Sequence, residues 1–158
     1  MKNMGDKTFF SSEIALSSKS NDWVTPQYIF NELDKEFGFT LDPCASEENA
    51  KCDKYYTIDD DGLSQDWSKD VVFMNPPYGR DLIKWIKKAY DESLNGALVV
   101  CLIPSRTDTR YWHDFIFPHA EIRFLKGRLY FGDGRGRSPF PSAIVIFDKN
   151  KERCYKWI

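Results

Sequence analysis

The chain has 158 residues, of which 42% are hydrophobic and 16% aromatic, and this composition supports one compact core and excludes a disordered chain. No apolar run reaches the roughly 18 residues that span a bilayer, and the first 20 residues lack the apolar segment of a secretory signal. We therefore expect a flexible leader over residues 1–20, one domain over residues 21–158, a cytoplasmic location and no membrane association.

The charge and the cysteines narrow the choice of partners. The four cysteines are widely spaced and there are only two histidines, so the ligand pairs of a zinc site are missing. We predict reduced thiols and no metal. The formal net charge of −2 is unfavourable for binding nucleic acid, because phosphate contacts depend on Lys and Arg. A surface that binds a polyanion must therefore arise from local segregation of charge.

The first predicted element is a helix. Thr25 and Pro26 resemble an N-cap followed by proline at the first helical position. Apolar residues then recur every four positions from Ile29 to Phe37, and Gly38 ends the segment. A short strand follows over residues 39–42.

The rest of the chain alternates between helical and strand patterns. Residues 46–67 are poor in apolar residues and rich in acids, which predicts a short helix and then loops. The later predicted elements are strands at 71–74, 97–103, 121–125 and 142–147, with helices at 82–94 and 107–117. Strands separated by helices predict an α/β fold with a mainly parallel sheet flanked by helices.

The tetrapeptide Asn75-Pro76-Pro77-Tyr78 directly follows the apolar strand at 71–74. Ligands of open α/β sheets bind at the carboxyl ends of the strands, so this loop is the candidate catalytic site. The Asn75 side-chain carbonyl and the Pro76 backbone carbonyl can accept both N–H bonds of an aromatic amine. The nitrogen then becomes pyramidal, with its lone pair facing an electrophile.

The other residues of the tetrapeptide suit the same chemistry. The consecutive prolines fix φ and set the carbonyl geometry in advance, and Tyr78 offers a flat face for a base taken out of a duplex. In the alternative interpretation, the tetrapeptide is a strand-ending turn and Tyr78 packs in the core.

Residues 41–46 form a second strand followed by a turn of small residues, which lets a ligand approach the backbone. Asp42 either accepts a hydrogen bond from a ligand ammonium group or caps a helix after Ser46. Cys44 follows this strand and not the strand that leads to Asn75, which argues against a thiolate that attacks a cytosine base.

These stretches resemble the small Dam-like DNA N6-adenine methyltransferases of phages and prophages and, more distantly, other amino-methyltransferases with an Asn-Pro-Pro-Tyr loop. The resemblance covers residues 22–147. The matching stretches, in the family's order, are residues 22–26, 41–45, 61–63, 75–80, 102–104, 127–128 and 138–142. The resemblance implies a minimal Rossmann-like class I methyltransferase that transfers a methyl group from S-adenosylmethionine to N6 of adenine in DNA.

The same resemblance implies roles for individual residues. The expected catalytic residues are Asn75, Pro76, Pro77 and Tyr78. The expected cofactor-binding residues are Trp23, Thr25, Pro26, Asp42, Pro43, Cys44, Asp61, Leu63 and Asn75. The DNA contacts are predicted from the residues and not from the resemblance. Positions beside predicted turns at the same sheet edge suggest phosphate contacts, with solvated surface roles as the alternative, for Arg80, Arg106, Arg128, Arg135 and Arg137, and Phe140 is a candidate to pack on a flipped base. Residues 132–137 are either a basic loop that orders on DNA or a disordered hairpin tip.

Two features leave the cofactor site less defined than the catalytic loop. Ala45-Ser46 stands where many methyltransferases have a G-x-G loop. The 33 positions from Asp42 to Asn75 leave little room for a strand carrying an acidic ribose ligand, so none is assigned. Alternative functions are methylation of cytosine N4, RNA adenine or a protein glutamine, and a non-catalytic DNA- or nucleotide-binding role. The small size favours relaxed recognition or a homodimer.

Overall fold

The computed structural model describes residues 23–132 and 136–158, so the predicted leader lies outside the described residues. The helices are α1 (Gln27–Phe37), α2 (Leu82–Asn95) and α3 (Phe117–His119), with a 3₁₀ turn at Gly62–Ser64 and a π-helical turn at Trp112–Ile116. The strands are β1 (Leu41–Asp42), β2 (Lys54–Tyr55), β3 (Val71–Met74), β4 (Leu98–Pro104), β5 (Glu121–Phe124), β6 (Ser142–Phe147) and β7 (Tyr155–Trp157).

The strands of the described ranges form one mixed sheet in the order β2-β1-β3-β4-β6-β5-β7. β1 pairs in parallel with β2 and β3, β3 with β4, and β5 with β7, whereas β6 runs antiparallel to β4 and β5. The predicted α/β fold with a mainly parallel sheet is therefore confirmed. The loops that follow β1, β2, β3, β4 and β5 all lie at one edge of the sheet, which we call the carboxyl edge. Because β6 runs in the opposite direction, it begins at this edge.

Side chains of a strand alternate between the two faces of a sheet, so each face presents apolar side chains that must be covered. Helical segments cover both faces. On one face, Val72 and Met74 of β3 pack in a core with Ile86 of α2 and Trp112 of the π-helical turn. On the other face, Phe73 joins a second core that includes α1. With both faces covered, the carboxyl edge is where a ligand can reach the strand ends.

The structure departs from the predicted elements in four places. A turn replaces the helix expected after Ser46, and the two-residue strand β2, which was not predicted, pairs with β1, which lies within the strand expected over residues 39–42. The charged tail contributes β7, which was not predicted. The helix expected over residues 107–117 widens into the π-helical turn, where the N–H of Phe117 bonds the carbonyl of Trp112. Pro118 lacks the N–H that would continue regular α-helical bonding.

Candidate active site

Asn75 follows β3 at the carboxyl edge, and hydrogen bonds hold its side chain in one orientation. Its Nδ2 donates to the backbone carbonyl of Trp23 at 2.5 Å and to Oγ1 of Thr25 at 2.9 Å. The hydroxyl of Tyr78 lies 2.9 Å from Asn75 Oδ1 and 3.2 Å from the backbone carbonyl of Leu102. An amide oxygen has two lone pairs, so Oδ1 can accept a further donor beside Tyr78.

Thr25 therefore has a different local role from the predicted helix cap. α1 begins at Gln27 after Pro26, and no side chain caps it. The Thr25 side chain is only 4% exposed, and its hydroxyl oxygen accepts a hydrogen bond from Asn75 of the candidate catalytic loop. The hydroxyl thereby accepts one N–H of the part-buried Asn75 amide.

Tyr78 is half-buried and packs against other aromatic rings. Its ring meets Phe140 edge-on at 5.5 Å and Phe131 at 6.4 Å between centroids. Burial raises the pKa of the Tyr78 hydroxyl, so it stays protonated and able to donate. Stacking of Tyr78 on a substrate base stays a prediction.

Trp23, Tyr78, Phe131 and Phe140 together form what we term the aromatic cluster. Trp23 meets Phe131 at 5.4 Å and Phe140 at 5.1 Å, both with rings near perpendicular. Phe140 is 8% exposed, so in this structure its ring is part of the packing and is not an open stacking platform. The N–H of Gly132 donates to the carbonyl of Val24 at 2.9 Å, which fixes the β5–β6 connection to the N-terminal segment.

A cleft of about 540 Å³ lies beside Asn75, within the size range of small-molecule sites. Of the residues expected to bind cofactor, the cleft is lined by Trp23, Thr25, Asp42, Cys44 and Asn75. Pro77 of the candidate catalytic loop also lines the cleft. The other residues expected to be catalytic or to bind cofactor do not line it: Pro26, Pro43, Asp61, Leu63, Pro76 and Tyr78.

Asp42 lies at the base of this cleft and is 5% exposed. Its carboxylate accepts the backbone N–H groups of Cys44 at 3.3 Å and Lys51 at 3.1 Å, so it caps the loop after β1. Burial raises the pKa of Asp42, and these two hydrogen bonds oppose the rise. A contact with a ligand ammonium group stays a prediction.

Cys44 lies close to Asp42, and burial affects the pKa of its thiol as well. Burial, together with the nearby Asp42 and Cys101, raises the pKa of the Cys44 thiol well above its usual value. The thiol is therefore protonated at neutral pH and a poor nucleophile, in agreement with the sequence argument against attack on a base.

Other residues that line the cleft were not assigned a role from the sequence. They are Val24, Glu47, Asn49, Lys51, Thr57, Ile58, Asp59 and Phe73. Ile58 is 93% exposed and sits in a turn that Asp60 fixes by accepting the N–H and hydroxyl of Thr57 at 2.8 and 2.9 Å. An exposed isoleucine at the rim of a cleft is a candidate contact for a flat ligand ring. In the sequence it could be recognised only as a single apolar residue before a run of acidic residues.

The predicted DNA-contacting arginines in the described ranges are Arg80, Arg106, Arg128 and Arg137, and all four are exposed. Arg106 lies 5.9 Å from the ring centre of Phe140. Arg137 Nε donates to the Tyr130 hydroxyl at 2.7 Å, and its guanidinium lies 5.6 Å from that ring. Arg135 lies outside the described residues.

The sequence also predicts that the protein has no metal site and no membrane association. Across residues 23–132 and 136–158, no group of three or more His, Cys, Asp or Glu side chains could hold a metal ion. No described helix is long and apolar enough to span a bilayer.

Comparison with known proteins decides the family. The family model for DNA N-6-adenine-methyltransferase (Dam) matches residues 12–154. The chain belongs to the Dam family. The resemblance seen in the sequence motifs is thereby confirmed, and the family implies a methyl donor as co-substrate.

The matched relatives include two phage proteins described as DNA N-6-adenine-methyltransferase. The protein of Escherichia phage T1 is 32% identical over 109 residues, covering 68% of this chain and 45% of the relative. That of Haemophilus phage HP1 is 27% identical over 135 residues, or 80% of this chain and 78% of the relative. The putative methyltransferase YfdM of Escherichia coli K12 is 41% identical over 70 residues, covering 40% of this chain and 77% of YfdM. The chain thus spans less than half the length of the phage T1 protein.

Proposed function

We propose that this member of the Dam family transfers a methyl group from S-adenosylmethionine to N6 of adenine in DNA, and acts in the cytoplasm of a bacterial host as a phage or prophage product. The observation that carries the proposal is the Asn75 amide, which is fixed by hydrogen bonds beside the cleft. An amide oxygen held in this way is an acceptor set in advance for an amine that must be activated.

Segregation of charge along the carboxyl edge supports a DNA substrate. The acids of the cleft, Asp42, Glu47 and Asp59, come from β1 and from the loops that follow β1 and β2. The exposed arginines Arg80, Arg106, Arg128 and Arg137 follow β3, β4 and β5 or precede β6, whereas Arg153 precedes β7 at the opposite edge. The edge therefore changes sign at β3, which carries Asn75 at its end, and the local basic side exists despite a net charge of −2.

The acidic side of the edge fits S-adenosylmethionine. Its carboxylates outnumber the one cationic side chain of the lining, Lys51, and the Trp23 ring can attract a sulfonium through its face. Ile58 suits the adenine ring of the cofactor, and Asp59 or Glu47 suits the ribose hydroxyl groups. When bound, S-adenosylmethionine supplies an electrophilic methyl group.

The residues of the catalytic loop then prepare the amine of adenine. Asn75 Oδ1 and the Pro76 carbonyl accept its two N–H bonds, which localises the lone pair on N6 and stabilises the positive charge that develops there. The Tyr78 hydroxyl keeps Oδ1 in place from the protein side. The aromatic cluster shields this side of the loop from water.

The direct test is incubation with labelled S-adenosylmethionine and, in separate reactions, unmethylated DNA, RNA and denatured protein, followed by nucleoside and amino-acid analysis. We expect label in N6-methyladenine from DNA alone. Label in N4-methylcytosine, in RNA or in protein glutamine would replace the proposed substrate. Cofactor binding without any labelled product would indicate a non-catalytic relative.

Removal of the arginines on the basic side should weaken DNA binding in a salt-dependent way. For Arg106→Ala and Arg137→Ala, we expect the slope of log Kd against log salt concentration to fall by about 1 for each phosphate that the variant no longer neutralises, with similar effects on unrelated DNA sequences. Titration of a labelled duplex at several salt concentrations measures the slope.

The matched control is Lys149→Ala. Lys149 is also exposed, but it follows β6, which runs opposite to the other strands, so it lies at the other edge of the sheet. Its removal should leave the slope unchanged. An equal decrease in the control and in the arginine variants would contradict binding at the carboxyl edge.

A further inference from the structure

The orientation of Asn75 depends on groups far from it in sequence. Thr25 and the Trp23 carbonyl, 50 and 52 positions away, both accept from the single nitrogen Nδ2. Each acceptor takes one N–H bond, so the amide cannot rotate by half a turn without placing Oδ1 against the Trp23 carbonyl. These contacts aim Oδ1 away from the N-terminal segment.

Thr25 also faces the cofactor side of the site. It is 4% exposed and belongs to the lining of the cleft. Its hydroxyl oxygen accepts from Asn75, and its hydroxyl proton is given to no acceptor within residues 23–132 and 136–158. A hydroxyl has one donor and two acceptor positions, so Thr25 can donate to a ligand and accept from Asn75 at once.

We infer that Thr25 is a positioning residue that connects the ligand of the cleft to Asn75, an inference that rests on the proposed function. An acceptor group of the ligand, such as a carboxylate, takes the Thr25 proton in a hydrogen bond and makes Oγ1 a stronger acceptor for Asn75 Nδ2. This polarises the amide and makes Oδ1 a stronger acceptor for the substrate amine, because hydrogen bonds in a chain strengthen one another. Binding in the cleft thus prepares the atom that binds the amine.

The inference distinguishes Thr25 from a residue that only binds cofactor. In Thr25→Val the shape is kept and both hydrogen bonds are removed. We expect kcat at saturating cofactor to fall about tenfold or more, with a smaller rise in the cofactor Kd. Thr25→Ser should restore most of kcat. A raised Kd with unchanged kcat would overturn the inference, because Thr25 would then serve the cofactor alone.

Thr40→Val is the matched control for removal of a threonine hydrogen bond near β3. The Thr40 hydroxyl accepts the N–H of Val71 at 3.0 Å, at the opposite end of β3 from Asn75. We expect this variant to lower the melting temperature and to leave kcat unchanged. If Thr25→Val and Thr40→Val lowered kcat alike, Thr25 would be structural and the inference would fail.

A readout that does not need turnover is the side-chain amide signal of Asn75, assigned by NMR from its absence in Asn75→Ala. In the parent chain, S-adenosylhomocysteine should move one Asn75 amide proton downfield and slow its exchange. The response should persist in Thr25→Ser and disappear in Thr25→Val. An identical response in Thr25→Val would overturn the inference. Absence of methyl transfer by the parent chain would overturn the proposed function and leave this measurement to decide the role of Thr25.

Discussion

Asn75→Ala is expected to lower kcat for methylation of DNA about 10²–10³-fold, the usual effect of removing one hydrogen-bonding group aimed at developing charge. Alanine removes Oδ1, so the amine of the substrate keeps its lone pair delocalised into the ring. The cleft keeps its other lining residues, so the cofactor Kd should change much less than kcat. Single-turnover rates with saturating cofactor and DNA measure the effect.

The fold of Asn75→Ala should survive, which allows the fall in rate to be interpreted. The Tyr78 hydroxyl retains the Leu102 carbonyl at 3.2 Å as an acceptor. The Trp23 carbonyl loses its side-chain donor, a cost of about 1 kcal/mol in unfolding free energy. Asn95→Ala, at the exposed end of α2, is the matched control and should keep the parent rate. Equal rates for Asn75→Ala and the control would remove Asn75 from the mechanism.

The position of the Asn-Pro-Pro-Tyr loop at the carboxyl edge could be predicted from sequence because its signal is local. Four consecutive apolar residues predict the strand. Asn-Pro-Pro-Tyr directly after them marks the point where buried strand side chains are followed by the loop at the strand end. The sequence also indicated Asp42 in the same way, at the end of β1. Both loops then lie at the same edge because β1 and β3 are parallel, as the α/β pattern predicts, and they come together because the two strands are neighbours in the sheet.

The partners of these residues could not be predicted, because long-range packing selects them. A threonine before a proline is a normal helix cap in sequence, yet the hydroxyl of Thr25 bonds Asn75 instead. Phe140 lies in an irregular segment, where periodicity gives no burial signal, and its position in the aromatic cluster depends on Trp23. The charge reversal at β3 likewise depends on strand order, which the net charge does not reveal.

The 3₁₀ turn at Gly62–Ser64 packs closely against the loop after β1, and both Asp42 at the end of β1 and Cys44 in that loop line the cleft. A Cβ on Gly62 would lie 2.2 Å from the backbone oxygen of Pro43, so only glycine lets this turn approach the loop after β1. The Gly62 carbonyl accepts the indole N–H of Trp67 at 3.0 Å, and Trp67 is fully buried. The turn therefore lies between Pro43 and the buried Trp67, and it cannot move away from the loop after β1 without disturbing Trp67.

Gly62→Ala is consequently expected to lower the unfolding free energy by about 3 kcal/mol, at the upper end for overpacking, because backbone and not a flexible side chain must move. Movement of either loop shifts residues that line the cleft, so binding of S-adenosylhomocysteine should weaken as well. Urea denaturation and calorimetric titration measure the two effects. Gly136→Ala is the matched control, since a Cβ there meets no atom of residues 23–132 and 136–158 within 4 Å, and its stability should stay within about 1 kcal/mol of the parent. If both variants were equally stable and bound ligand equally well, the contact between Gly62 and Pro43 would not control the shape of the cleft.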